Sequence, residues 1–107
     1  MIKPGVDLRG LCPQMVLAYC IAQTIFQEKA GVPCVITSGS DSKHGPNSLH
    51  YQGKALDFRT RHLRPDQVHP IFTALKQALG AQYDTVLEED HVHCEFDPKE
   101  PEKSEDA

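Results

Sequence analysis

Residues 91–96 alternate polar and apolar side chains, and this alternation constrains the fold more than any other feature of the sequence. Successive side chains of a β-strand point to opposite faces, so the alternation predicts a strand with one polar and one apolar face. The polar face carries His91, His93 and Glu95, and the apolar face carries Val92, Cys94 and Phe96. Other elements must cover the apolar face, so the two imidazoles are expected on the open face of a sheet.

The rest of the chain supplies helices for the apolar face. Apolar residues recur at helical spacing in residues 13–29 and 66–79, and a glycine follows soon after each stretch. Pro70 falls in the second stretch, where it either marks the true start of the helix or kinks its first turns. Strands are predicted at residues 34–37, 55–59, 84–87 and 91–96. This order of elements predicts an α+β fold, an antiparallel sheet with helices packed on one face.

Length and charge set the class of protein. The 107 residues fit one domain, residues 1–97, followed by an acidic tail, residues 98–107, that is expected to be disordered. Most of the net charge of -4 falls on the segment from Asp97 onward, and the nearly neutral remainder argues against nucleic-acid binding. No apolar stretch suits a signal peptide or a membrane span. We therefore expect a monomer that is cytoplasmic on synthesis and has no membrane contact.

The four cysteines are interpreted as reduced, mostly buried thiols. Their spacing contains no Cys-x-x-Cys, which argues against a cysteine-based zinc finger. An even number of cysteines in a short chain also fits disulfides. Because no secretion signal is found, the thiol interpretation is favoured.

Asp57 is a further polar residue with a place in this arrangement. It lies between Leu56 and Phe58, so it too is expected on an open sheet face. If its strand neighbours residues 91–96, Asp57, His91 and His93 converge, and ligands of these types and number suit Zn²⁺. Each residue alone also fits the solvated half of an amphipathic strand. Their combination favours a zinc site.

Two stretches carry a resemblance to a known family. Residues 48–57, Ser-Leu-His-Tyr-Gln-Gly-Lys-Ala-Leu-Asp, followed by His-Val-His at 91–93, resemble the signature of the D-alanyl-D-alanine carboxypeptidase family of zinc peptidases. That family includes phage endopeptidases that cut peptidoglycan. The hedgehog N-terminal signalling domain has the same zinc fold, and the two stretches are similar to its corresponding segments as well. The resemblance implies this fold, with a zinc site on the open face of the sheet.

The resemblance also implies which residues hold the metal and contact substrate. His50, Asp57 and His93 are the implied ligands of Zn²⁺. His44 and Ser48 are the implied substrate-binding residues, with an ordinary loop residue as the alternative for His44.

A peptidase also needs a carboxylate that moves a proton to the leaving amine. In the peptidase family it shortly precedes the last histidine, which favours Asp90, with Glu88 as the second choice. His91 is implied to steady the transition state beside the metal. The alternative is that Glu88 and Asp90 belong to a solvated turn and that His91 is merely exposed.

These residues lead to a prediction of function by resemblance. The chain is expected to be a zinc metallopeptidase that hydrolyses peptidoglycan stem peptides, as a D,D-carboxypeptidase or endopeptidase. Its size suits a phage or prophage lysis enzyme that acts on the cell wall after release. The alternative is a catalytically inactive, hedgehog-like binding module that zinc stabilises.

Overall fold

The structure, a computed structural model, describes residues 1–39 and 53–98. Within these residues the chain forms two helices and four strands. The helices are α1 (Pro13–Ala30) and α2 (Pro65–Leu79), and the strands are β1 (Ile36–Ser38), β2 (Ala55–Arg59), β3 (Tyr83–Leu87) and β4 (His91–Phe96). The strands form one antiparallel sheet in the order β1-β2-β4-β3, which confirms the predicted α+β class.

Helix α1 has sequence-encoded boundaries at both ends. Pro13 is its first residue. Proline is tolerated there, because the N–H group of a first helical residue has no hydrogen-bond partner within the helix. Gly31 follows the helix in a left-handed conformation, with φ 66°, and donates its N–H to the carbonyl of Gln27. The helix therefore ends at Ala30, one residue beyond the prediction. Its fully buried side chains are Met15, Ala18, Ala22 and Phe26.

Helix α2 begins at Pro65 and continues through Pro70. Pro70 is therefore inside the helix, and the suggestion that it marks the start is wrong. The first turn is closed instead by Gln67, whose side-chain oxygen accepts a hydrogen bond of 3.0 Å from the backbone N–H of Arg64. The buried side chains of α2 are Ile71, Leu75 and Leu79.

The pairing of β2 with β4 builds the core side of the sheet. Leu56 is opposite Cys94 and Phe58 is opposite Val92, and all four side chains are buried. They form one hydrophobic core with the buried residues of both helices. Burial of apolar surface contributes about 25 cal/mol per Å². This contribution depends on the register, because the register decides which side chains face the core.

The strands agree with the predicted ones apart from their ends. Residues 55–59 and 91–96 are confirmed, whereas the first strand is Ile36–Ser38 instead of 34–37 and β3 begins one residue early, at Tyr83. The backbone of Ile36 is hydrogen-bonded to the N-terminal residues. Its N–H donates to the carbonyl of Met1, and its carbonyl accepts from the N–H of Lys3. The tail beyond residue 98 lies outside the described residues. Neither described helix is long and apolar enough to cross a membrane.

The N-terminal segment 7–10 packs closely against two glycines. A Cβ atom on Gly39 would lie 2.5 Å from the carbonyl oxygen of Asp7, and one on Gly53 would lie 2.0 Å from that of Gly10. The backbone N–H of Cys12 also donates to the carbonyl of Gly53, at 2.9 Å. Backbones can approach this closely only where a side chain is absent.

The four cysteines are free thiols with different exposure. Cys34 and Cys94 are buried, Cys12 is half-buried and Cys20 is exposed, so the predicted burial holds for two of them. Burial in the core raises the pKa of both Cys34 and Cys94 to about 12, because an apolar environment disfavours the thiolate.

We predict that Gly53→Ala destabilises the fold much more than Gly31→Ala. Both glycines have a positive φ, 71° and 66°, but only the new methyl group at Gly53 would overlap another part of the chain. Backbone strain alone should cost about 1 kcal/mol at Gly31, and strain plus overlap about 3 kcal/mol or more at Gly53. Urea unfolding of the two variants measures the difference. Equal losses of stability would contradict the close approach of Gly53 to Gly10.

We predict that iodoacetamide modifies Cys20 in the folded protein and leaves Cys34 and Cys94 unmodified at mildly alkaline pH. The thiolate is the reactive form, and burial both suppresses it and blocks access. Mass spectrometry of the alkylated protein gives the sites, and the same reaction in guanidinium chloride, where all cysteines should react, is the control. Rapid modification of Cys94 without denaturant would contradict the described core.

Candidate functional site

The sheet has one face that no described helix covers, and its side chains come from three strands. Because directly opposed residues in an antiparallel pair share a face, the register assigns them. We call this surface the open face, and it consists of Asp57 and Arg59 of β2, Asp84 and Val86 of β3, and His91, His93 and Glu95 of β4. The core residues of the same strands point the other way, as the alternation of β4 predicts.

Asp57 and His93 form the centre of the open face. They are directly opposed on β2 and β4, and Asp57 Oδ1 lies 2.9 Å from His93 Nδ1. The other ring nitrogen of His93, Nε2, lies 2.8 Å from Glu95 Oε1. The hydrogen bond with Asp57 and then that with Glu95 outweigh partial burial and raise the pKa of His93 to about 9. Two carboxylates thus hold one imidazole ring in a fixed orientation.

His91 lies beside this pair and has its own acidic partners. Its Nδ1 is 2.8 Å from Asp90 Oδ1, its Nε2 is 2.8 Å from Glu88 Oε1, and Asp57 Oδ1 is 3.8 Å away. Burial alone would lower the pKa of His91, but Asp90, Asp57 and Glu88 together raise it. The hydrogen bond with His91 lowers the pKa of Asp90. The turn between β3 and β4 therefore surrounds His91 with negative charge.

The structure brings together the predicted site residues that it describes. Asp57 and His93, two of the implied zinc ligands, are in contact, and His91 adjoins them with Asp90 and Glu88. The third implied ligand, His50, and the implied substrate-binding residues, His44 and Ser48, lie outside the described residues. The assignment of these residues to a zinc site remains a prediction.

An acidic group on the open face was not predicted. Within residues 1–39 and 53–98, carboxylate oxygens of Asp84, Glu95 and Asp97 lie close enough together to hold a metal ion. The register explains the group in part, because Asp84 is directly opposite Glu95. The alternation of β4 placed Glu95 on the polar face, but pairing with β3 could not be read from either strand alone.

The chain matches a known protein family. Residues 12–95 match the Hedgehog amino-terminal signalling domain. This range begins just before α1 and ends within β4, so it includes both Asp57 and His93. A comparison with curated proteins finds no match.

The family match corrects the predicted function. The predicted membership of the D-alanyl-D-alanine carboxypeptidase family is wrong, because the matching family is a signalling domain. The predictions of a zinc metallopeptidase, of a peptidoglycan stem-peptide substrate and of a lysis enzyme are wrong for the same reason. The alternative, a catalytically inactive binding module that zinc stabilises, gains no support from this description either. The catalytic roles given to Asp90, Glu88 and His91 depended on a peptidase and lose their basis.

The physical reason for the error lies in what the signature encodes. Ser-x-His-x-x-Gly-x-Ala-x-Asp and a later His-x-His resemble segments of both peptidases and the hedgehog domain, and a shared fold does not specify a reaction. The match spans nearly the whole of the described domain, from the start of α1 to β4. The chain belongs to the Hedgehog amino-terminal signalling domain family.

Proposed function

We propose that the chain is a signalling ligand whose open face is recognised by a receptor protein. The supporting observation is the family match, because it covers most of the chain and describes a signalling domain. A signalling domain acts by being bound, so its function requires a surface that a second protein can read.

The composition of the open face suits recognition by a protein. Val86, directly opposite His93 on the edge strand β3, is 47% exposed and gives one side of the surface an apolar anchor. Asp57, His91 and His93 on the neighbouring strands β2 and β4 are charged or polar, and their side chains are between 14% and 26% exposed. Protein interfaces commonly combine an apolar anchor with a polar rim, and side chains that neighbours already hold lose little entropy on binding.

We further propose that Asp57 and His93 hold a Zn²⁺ ion together with His50. The donor types fit, since zinc sites in proteins combine imidazole nitrogens with carboxylate oxygens. The atoms are also close: Asp57 Oδ1 and His93 Nδ1 are hydrogen-bonded at 2.9 Å, and two tetrahedral zinc ligands at about 2.0–2.2 Å each lie roughly 3.4 Å apart, so a small separation of the pair would admit the ion. Glu95 would accept a hydrogen bond from the other nitrogen of His93 and so fix the ring, as carboxylates commonly do in zinc sites.

A metal ion at this place would act on the fold of the recognition surface. It would tie β2 to β4 through Asp57 and His93 and, through His50, to the segment between β1 and β2. Because bound metal stabilises only the folded chain, it would raise the free energy of unfolding.

We predict that the purified protein binds about one zinc ion per chain and that His93→Ala and Asp57→Ala each abolish this binding. With free zinc at a thousand times the dissociation constant, the wild type should gain about 4 kcal/mol of stability, and EDTA should remove the gain. Metal analysis and thermal unfolding measure both effects. The matched control is Asp84→Asn, which alters the acidic group and should keep zinc. Retention of zinc by His93→Ala and its loss from Asp84→Asn would place the ion in the acidic group.

We predict saturable binding of the labelled domain to intact cells of the organism that encodes the chain. Val86→Asp should weaken this binding tenfold or more, because it replaces the exposed apolar side chain of the open face with a charge. Leu17→Asp is the matched control, since Leu17 is 56% exposed on α1, away from the open face. Competition with unlabelled domain measures the affinity. Binding that does not saturate, or that Leu17→Asp weakens as much as Val86→Asp, would contradict recognition through the open face.

A further inference from the structure

A cavity of about 310 Å³ lies at the edge of the open face, beside Asp57. Its walls come from the N-terminal segment, from β1 and β2, and from residues that follow β2 and β3. The residues that line it are Lys3, Thr37, Ser38, Asp57, Arg59, Arg61 and Asp90. Three of these side chains are cationic and two are carboxylates, so the walls carry one net positive charge.

The two carboxylates of the cavity already have partners on the sheet. Asp57 lies 2.9 Å from His93, and Asp90 lies 2.8 Å from His91. Arg61 acts on one of them, because its charge contributes to the lowered pKa of Asp90. Within the part of the chain that the structure describes, Lys3 and Arg59 form no ion pair. Their positive charge is therefore available to a ligand.

Arg59 adds a second observation that points to a ligand. Its Nε atom is buried and has no hydrogen-bond partner among the described residues. Because Nε is shielded while Arg59 as a whole is half-buried and lines the cavity, a ligand would reach its other guanidinium N–H groups. The guanidinium group offers a planar fork of N–H donors, which matches the two oxygens of a carboxylate.

We propose that this cavity binds a carboxylate side chain of an acidic segment in the receptor protein. The inference rests on the proposed signalling function and names the chemistry of its partner. The net positive charge suits a carboxylate, and Asp90, which is not a proposed zinc ligand, opposes a doubly charged phosphate more than a singly charged carboxylate. The hydroxyl groups of Thr37 and Ser38 line the same cavity. A volume of about 310 Å³ accommodates an aspartate or glutamate side chain with its backbone.

The charge of the whole chain makes such binding specific to the cavity. At a net charge of -4 the protein as a whole repels an acidic peptide. Affinity for such a peptide must therefore come from a local group of cations rather than from general attraction.

The test is binding of a fluorescein-labelled hexaglutamate peptide to the full chain, measured by fluorescence anisotropy at low salt. Hexaglutamate should bind, and hexaglutamine should not. Arg59→Gln should weaken binding about tenfold, because its partly buried donors make charge-assisted hydrogen bonds. Arg61→Gln, at an exposed position, should weaken it about threefold. Lys76→Gln removes the same charge from an exposed position on α2 and should leave binding unchanged.

Several outcomes would overturn the proposal. Equal binding of hexaglutamine, or equal weakening by Lys76→Gln and Arg61→Gln, would show that the cavity does not select the carboxylates. Displacement of the peptide by inorganic phosphate at much lower concentration than by acetate would show a phosphate site. Because Arg61 is exposed, its variant keeps the test valid if Arg59→Gln fails to fold.

The result can be separated from the test of the proposed function. If hexaglutamate does not bind but Val86→Asp still weakens cell binding selectively, receptor recognition stands and only the cavity is excluded. If hexaglutamate binds as predicted but cell binding does not saturate, the cavity stands and the signalling proposal fails.

Discussion

The register between β2 and β4 is the constraint on which the rest of the structure depends. In this register Phe58 meets Val92 on the buried face, and Asp57 meets His93 on the open face. A slip by one residue would exchange the two faces and would bury the charged pair while exposing the core. The hydrophobic core and the candidate site are therefore fixed by the same set of backbone hydrogen bonds.

Because the chain belongs to a signalling-domain family, the charged residues of the open face are no longer interpreted as peptidase residues. Glu88, Asp90 and His91 form a compact network at the turn between β3 and β4, in which each acid contacts the same imidazole. These contacts hold the side chains of the turn in one arrangement. A rigid surface loses less conformational entropy when a partner binds, which is how well-ordered charges contribute to recognition without making a bond to the partner.

The sequence predicted the regular elements well because their patterns are local. The alternation at 91–96 and the helical spacing with Gly31 as a stop are each complete within a short stretch, so their bounds agree with the structure to within a residue. Strand β1 was harder, since its pairing depends on Met1 and Lys3, which are distant in sequence. The contact between Asp57 and His93 was predictable once both strands were assigned to open faces. The acidic group of Asp84 and the cation-lined cavity were not, because several elements contribute to each. The predicted function was wrong because residues 48–57 resemble both peptidases and the hedgehog domain, so they do not distinguish the two.

The close packing of segment 7–10 has a consequence for how sequences of this fold can diverge. Gly39 and Gly53 border the segment that carries His50, and both are pressed against the same short stretch of backbone near the N-terminus. A side chain at either glycine would be tolerated only if that stretch moved away, so these three places are expected to change together or not at all. Residues outside the candidate site thereby restrict how the sequence between Gly39 and Gly53, which includes His50, can change.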